Sequence, residues 1–151
     1  MRIIIINDSK EQSAVLRRQF ANYDPQVEVT EYDPEQHGQP DIGFDWNLYD
    51  LLVIRERLGG EESGLAWLAV FSLDTKLPPT LMLADENDLY VASKVSEMPS
   101  CAYVVSSQFS DESLPGILKS LGVSERRGTK YDPLDGSRYK QDKRIFGDLS
   151  N

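Results

Sequence analysis

The sequence predicts an α/β fold with a parallel sheet of five strands, and three observations lead to this fold class. Five apolar runs of strand length alternate strictly with helical or polar segments along the chain. The inner strand candidates are apolar on both faces, which is typical of parallel strands that helices cover on either side. A length of 151 residues fits one domain with a substantial core, and no internal repeat is present.

The first strand candidate is Arg2 to Ile6, where four consecutive isoleucines favour a strand because β-branched side chains pack well in sheets. Asn7, Asp8 and Ser9 follow it. Polar residues just past the carboxyl end of a strand lie in the crevice where open α/β sheets bind ligands. Ser9 is also a suitable N-cap for a helix from Lys10 to about Asn22.

The second strand candidate, residues 27 to 32, alternates apolar and polar side chains, as expected nearer the edge of a sheet. Residues 33 to 47 contain two prolines and two glycines, which interrupt helical backbone. We therefore expect the second helix to be short, irregular or missing.

The remaining elements keep the same alternation. An apolar third strand ends at Arg55, and a helix over about 61–74 follows, with acidic residues in its first turn that favour the helix dipole. The later strands are expected at 80–84 and 101–105, and the later helices at 86–97, capped by Asp85 to Asp88, and at 110–121. Right-handed crossovers and this length make the flavodoxin-like strand order 2-1-3-4-5, with helices on both faces, the leading arrangement.

The formal charge of −9 is unevenly distributed. Residues 1–121 hold 9 Lys/Arg and 20 Asp/Glu, whereas residues 122–151 hold 7 and 5. The acidic body disfavours nucleic acid and anionic membranes as partners. Residues 122–151 have no helical or strand period, and we expect a linker or a partly ordered carboxyl-terminal arm there. With neither a secretion signal nor an apolar run near the roughly 20 residues of a membrane span, a cytoplasmic protein is expected.

Residues of catalytic or metal-binding type are scarce. Cys101 is the only cysteine and lies in an apolar strand, where a buried, inert thiol is expected. His37 is the only histidine and lies in a polar loop. The sequence contains no Gly-x-Ser-x-Gly elbow, P-loop or dinucleotide fingerprint. We therefore expect no enzymatic activity, no catalytic residue and no cofactor.

The third strand resembles that of response-regulator receiver domains, in which a Tyr-Asp-Leu tract leads to an aspartate that becomes phosphorylated. Tyr49-Asp50-Leu51 supplies the tract, and Arg55 holds the place of the aspartate. The resemblance covers residues 1 to about 121. A guanidinium cannot accept a phosphoryl group, so the resemblance implies a degenerate receiver that lacks its phosphoacceptor, termed a pseudo-receiver below.

Other positions of the family's phosphorylation pocket have also changed. Asn7 and Asp8 stand where receivers keep two carboxylates that bind magnesium. Ala84 replaces a Thr or Ser at the end of the fourth strand, and Ser106 replaces a lysine after the fifth. Tyr103 keeps the aromatic residue of the fifth strand. The resemblance therefore implies that the fold is retained and most of the pocket's chemistry is lost.

The pocket's charge changes with these replacements. Three carboxylates attract a divalent cation, whereas Arg55 supplies a positive charge of its own, so no metal site is expected. We expect an ion pair between Asp8 and Arg55. A solvent-facing Arg55 beside Glu56 or Glu61 is the alternative.

The expected function is a phosphorylation-independent regulatory module that binds proteins in two-component signal transduction. The resemblance implies the amino-terminal part of a larger signalling protein, or an adaptor, whose partner is its own output domain or another protein. In the family, the face of the fourth helix, fifth strand and fifth helix mediates such contacts and homodimers. Here that face would include Tyr90, Lys94 and Tyr103. A Tyr103 that only packs on the sheet is an equally open interpretation.

A nucleotide- or flavin-binding module on the same fold is the alternative function. Ser9, the Gly59-Gly60 pair and the Ser106-Ser107 pair all fall at the carboxyl end of predicted strands. The two glycines are explained equally by a turn followed by close packing of a helix.

Overall fold

The computed structural model describes residues 1–123, which form a five-stranded sheet covered by helices on both faces. The strands are β1 (Arg2–Ile6), β2 (Glu28–Tyr32), β3 (Leu51–Arg55), β4 (Thr80–Ala84) and β5 (Cys101–Val105). The helices are α1 (Lys10–Tyr23), α2 (Pro34–His37), α3 (Gly64–Phe71), α4 (Leu89–Ser96) and α5 (Leu114–Ser120), with 3-10 turns at Trp46–Leu48 and Ser106–Gln108. All strand pairs are parallel, and the order β2-β1-β3-β4-β5 confirms the predicted topology.

Side-chain alternation along the strands divides the core between two faces of the sheet. On one face, here called the α1/α5 face, strand residues pack with helices α1 and α5: Ile3, Ile5, Leu51, Val53, Leu81, Leu83, Leu16, Phe20, Leu114 and Leu118. On the other, the α3/α4 face, they pack with helices α3 and α4: Ile4, Ile6, Leu52, Ile54, Met82, Trp67, Leu68, Phe71, Val91 and Val95. This division decides on which side of the sheet each residue at a strand end lies.

The helix starts differ most from expectation. The short second helix is confirmed as a single turn, α2. Helix α3 begins three residues later than predicted because the Ser63 side chain caps it by accepting from the Ala66 backbone N–H. Helix α4 begins at residue 89 instead of 86, because Asp88 is the N-cap and accepts from the N–H groups of Tyr90 and Val91. Asp85 is therefore left outside the helix.

The carboxyl-terminal part of the described chain closes over the α1/α5 face. Helix α5 starts at Leu114, four residues later than predicted, and Pro115 sits in its first turn, where proline is tolerated. Leu121 and Val123 are buried against the same core. The predicted linker or arm over 122–151 lies, beyond Val123, outside the described residues. Within residues 1–123, no helix is both long and apolar enough to cross a membrane.

Gly64 sets the distance between helix α3 and the end of strand β3. Its backbone N–H donates to the carbonyl oxygen of Glu56 at 2.7 Å. A Cβ at this position would overlap the carbonyl oxygen of Arg55 and lie 3.1 Å from its carbonyl carbon. The first turn of α3 therefore lies so close to the backbone of β3 that only glycine fits at position 64.

Gly64→Ala should destabilise the protein by about 1–3 kcal/mol, because the added methyl meets backbone that cannot move aside like a flexible side chain. Gly116→Ala is the matched control, since a Cβ there has nothing within 4 Å. Within a helix, that change should leave stability unchanged or raise it by up to about 1 kcal/mol. Urea unfolding followed by circular dichroism measures both variants, and equal stabilities would contradict the packing argument.

Candidate functional site

The carboxyl edge of the sheet gathers four polar residues on the α1/α5 side. Asn7, Arg55, Asp85 and Ser106 each stand in, or directly follow, a different strand, and each has the alternation that points toward α1 and α5. Adjacent strands bring them together because all strands end at the same edge. The sheet alone therefore brings this set of side chains together.

Arg55 is the centre of the set, and only 8% of it is exposed. Its Nη1 donates to the Ser106 Oγ at 3.0 Å, and its Nη2 forms an ion pair with the Oδ1 of Asp85. The solvent-facing arrangement beside Glu56 or Glu61 is therefore wrong. One guanidinium joins the end of β3 to the residues that follow β4 and β5.

The predicted ion pair between Asp8 and Arg55 is also wrong, and alternation along β1 explains why. Asn7 shares the side of Arg55, whereas Asp8 is one position further and belongs to the other face. Asp8 lies against Gly59, where a Cβ would be 2.6 Å from the Asp8 Oδ2 and 3.3 Å from the Glu35 Oε2. The sequence pattern assigns Asp85 to helix capping, although its position two residues after Leu83 places it on the same side of the sheet as Arg55.

Asn7 and Ala84 complete the edge without adding charge. The Asn7 Oδ1 accepts from the Ser9 N–H at 3.1 Å, while its Nδ2 is buried without a hydrogen-bond partner among the described residues. Ala84 is buried and presents a methyl group at the end of β4. The Asn7 amide oxygen already accepts a hydrogen bond, and neither a methyl group nor a paired guanidinium is a ligand for a hard divalent cation.

The magnesium ion that receivers hold at this edge therefore does not fit the residues present. Among residues 1–123, no group of three or more His, Cys, Asp or Glu side chains is arranged to hold a metal. Asp8 and Glu35 both lie beside Gly59, whereas the carboxylate that pairs with Arg55 is that of Asp85.

The serines and glycines behind the nucleotide or flavin alternative have local structural roles. The Ser9 Oγ caps helix α1 by accepting from the Gln12 N–H, and Ser106 binds Arg55. Gly59 and Gly60 have φ angles of 87° and 56°, which a side chain would disfavour. Helix capping accounts for Ser9, turn formation for Gly59 and Gly60, and the hydrogen bond with Arg55 for Ser106.

Cys101 and His37 have local contacts of their own. Cys101 is half-buried at the start of β5, where burial raises the pKa of its thiol while a hydrogen bond with Thr80 acts in the opposite direction. The His37 ring lies 5.4 Å from that of Tyr32 at the end of α2. The partners of Arg55 are instead Ser106 and Asp85.

The residues of the predicted interaction face differ in exposure. Tyr90 is 66% exposed on α4, and the Lys94 ammonium lies 5.5 Å from the centre of its ring. Tyr103 is half-buried, and its hydroxyl accepts from the Asp88 N–H at 2.9 Å and donates to the Glu86 carbonyl at 3.2 Å. Tyr103 thus fastens β5 to the loop before α4, while Tyr90 and Lys94 remain on the surface.

An acidic rim borders the Arg55 site on the loop before α4. Glu56 follows Arg55 directly, and Asp85, Glu86 and Asp88 lie around the same shallow cavity. Burial, with added repulsion from the carboxylates of Asp88 and Asp85, raises the pKa of Glu56 above its usual value. The rim therefore opposes the approach of an anion from this side.

Asp85→Ala should lower the free energy of unfolding by about 1–2 kcal/mol, because it leaves the buried Arg55 without its charged partner. The effect stays at this modest level because Asp85 is itself 62% exposed. Glu86→Ala, at the neighbouring exposed carboxylate, is the control and should change stability by less than about 0.5 kcal/mol. Equal effects in urea unfolding would contradict the ion pair.

Glu56→Gln should reduce the pH dependence of stability. A raised pKa means that the folded protein holds this proton more tightly than the unfolded chain does, so stability falls as pH rises from about 4 through the raised value. The variant lacks this loss and should gain stability relative to the wild type at pH 7 but not at pH 4. Urea unfolding at the two pH values measures this difference in stability. A variant that is more stable than the wild type only at pH 4 would show that the pKa of Glu56 is lowered instead of raised.

Solved response-regulator receivers have the same fold. A response regulator receiver protein from Pseudoalteromonas atlantica is 16% identical, with a TM-score of 0.63 over 80% of this chain and 96% of that one. A chemotaxis response regulator of Vibrio cholerae is 14% identical, with a TM-score of 0.61 over 80% of this chain and 97% of that one. A third structure is the N-terminal domain of a response regulator/sensory box/GGDEF three-domain protein from Carboxydothermus hydrogenoformans. It is 19% identical, with a TM-score of 0.56 over 80% of this chain and 93% of that one. No protein-family model and no curated protein matches the sequence.

At this level of identity the likeness concerns the fold. The shared strand order and the coverage of nearly the whole of each receiver identify the architecture of residues 1–123. The chain has the CheY-like, flavodoxin-like fold of response-regulator receiver domains.

Proposed function

We propose that the protein is a pseudo-receiver, a regulatory module that binds other proteins in two-component-type signalling without being phosphorylated. The observation that carries the proposal is the position of Arg55, buried at the end of β3 and held by Asp85 and Ser106. Receivers keep their phosphoacceptor aspartate at this place. Their fold is present here with a cation at its centre.

The position that corresponds to the phosphoacceptor, residue 55, lacks a nucleophile. Phosphorylation of a receiver needs a carboxylate oxygen to attack phosphorus and a divalent cation to offset the phosphate charge. The Arg55 guanidinium has no oxygen and repels the cation. In receivers a hydroxyl and an ammonium contact the phosphoryl group. Ala84 has no hydroxyl at the first of these positions, and Ser106 has no ammonium at the second.

A fixed conformation follows from the same contacts. In receivers, the Thr or Ser that ends the fourth strand and the lysine after the fifth strand contact the phosphoryl group at the end of the third. Here Arg55 already makes both connections, through Asp85 and Ser106. The module would therefore present one constant surface, and its signal would depend on whether a partner is bound.

The surface proposed for that partner is the α4–β5–α5 face, where Tyr90 and Lys94 are exposed and Leu89 is 78% exposed. Apolar and aromatic side chains in a polar surround are characteristic of protein interfaces. One neighbour in fold is the N-terminal domain of a three-domain protein, and we propose a similar place in a longer signalling protein, in the cytoplasm. The occupant is an output domain, a separate protein or a second copy.

Beryllofluoride and acetyl phosphate test the proposal directly. With magnesium present, the wild-type protein should give no saturable change in its ¹H–¹⁵N amide spectrum on addition of beryllofluoride. Acetyl phosphate should add no phosphoryl mass to the intact protein. A phosphorylatable receiver treated in parallel confirms that both reagents are active. Saturable, magnesium-dependent beryllofluoride binding by the wild type would refute the proposal.

A further inference from the structure

An apolar groove lies on the α3/α4 side, away from the polar edge of Arg55. The connection between α2 and β3 forms one wall, and the carboxyl-terminal end of α3 with its following turn forms the other. Its cavity volume is about 590 Å³. The rings of Trp46 and Phe71, both buried and with centroids 4.8 Å apart, form a firm floor.

Three exposed aliphatic side chains border this floor. Ile42 is fully exposed, Leu73 is 83% exposed and Val70 is 51% exposed. They come from both walls, so they form one patch with the floor instead of isolated surface positions. An exposed apolar patch with a concave centre marks a binding surface.

The charge around the groove narrows the chemistry of its occupant. Asp41 and Asp74 lie on opposite walls. The whole body over residues 1–121 carries a formal balance of −11. A segment that combines apolar side chains with positive charge would therefore bind best, since opposite charges steer and orient an apolar contact.

The chain contains such a segment outside the described residues. Residues 138–149 read Arg-Tyr-Lys-Gln-Asp-Lys-Arg-Ile-Phe-Gly-Asp-Leu, with four cations and two anions, and the adjacent Ile145 and Phe146 follow the last two cations. We propose that residues 138–149 bind in this groove, with Ile145 and Phe146 against the apolar floor and the preceding basic residues near Asp41 and Asp74.

The point where the described chain ends makes this contact accessible. Val123 lies near Met1, Tyr49 and Pro79, at the amino-terminal edge of the parallel strands. Helix α3 runs antiparallel to the strands, so its carboxyl-terminal end and the groove are at that same edge. Residues 123 to 145 can span at most roughly 70 Å, whereas a domain of this size has a radius of gyration of about 14 Å.

Binding within one chain would make the groove a masked surface. A tethered segment competes at an effective concentration in the millimolar range for short flexible connections, so even a weak contact would keep the groove covered. A partner with a similar basic and apolar peptide would have to displace residues 138–149. This inference is independent of the proposed loss of phosphorylation, because it concerns a different face of the sheet.

Competition with a synthetic peptide tests the proposal in the full chain. A fluorescein-labelled peptide of residues 138–149 is titrated with the wild-type protein and with the Ile145→Asp/Phe146→Asp variant, and its anisotropy is measured. The variant's own segment cannot occupy the groove. The peptide should therefore bind the variant at least tenfold more tightly than it binds the wild type.

Two further substitutions locate the site. Adding Leu73→Asp to the double variant should abolish peptide binding, whereas adding Leu89→Asp should not, since Leu89 is equally exposed but lies on α4. Both side chains are on the surface, and the thermal unfolding temperature of each variant confirms that it folds.

Three outcomes would overturn the proposal. The first is peptide binding that is absent in the double variant, and the second is equal affinity for the double variant and the wild type. The third is a dimer in sedimentation velocity that Leu73→Asp dissociates and Ile145→Asp/Phe146→Asp leaves intact, which would assign the groove to a second copy of the chain.

Discussion

The structure depends on how a buried positive charge is neutralised at the carboxyl edge of the sheet. A guanidinium removed from water is costly unless its charge is paired and its N–H groups are hydrogen-bonded. Arg55 meets both needs with two side chains, the carboxylate of Asp85 and the hydroxyl of Ser106. Gly64 adds a third constraint at the same residue, because helix α3 starts against the Arg55 carbonyl. The centre of the sheet edge is therefore fixed by backbone packing and by charge together.

Much of the fold could be predicted from sequence because it rests on strong, local patterns. Runs of aliphatic residues define the strands. The four strands predicted with both bounds match the structure within one residue, and the third ends at Arg55 as predicted. The first residues of the helices are harder to predict, because Ser63 and Asp88 each have acidic neighbours that could also act as the N-cap. A sequence pattern does not decide which of these side chains accepts from the backbone N–H groups of the helix. The site failed for a related reason. Charge alone suggested Asp8 as the partner of Arg55, whereas the alternation of side chains along β1 and β4 selects Asp85.

The polar edge and the apolar groove divide the molecule into two regions with different chemistry. At the edge, the polar groups of Arg55, Asp85 and Ser106 satisfy one another. At the groove, Ile42 and Leu73 remain open to solvent. The charge at the edge is thus balanced within the chain, whereas the groove exposes apolar surface.

The loop between β4 and α4 connects the buried charge to the protein surface. Within four residues, Asp85 neutralises Arg55, the Glu86 carbonyl and Asp88 N–H hold the Tyr103 hydroxyl, and the Asp88 carboxylate begins α4. A displacement of Asp85 would therefore also displace Asp88 and the start of α4. Substitution of Arg55 would therefore change the surface that α4 offers to a binding protein, although Arg55 itself makes no contact with that protein.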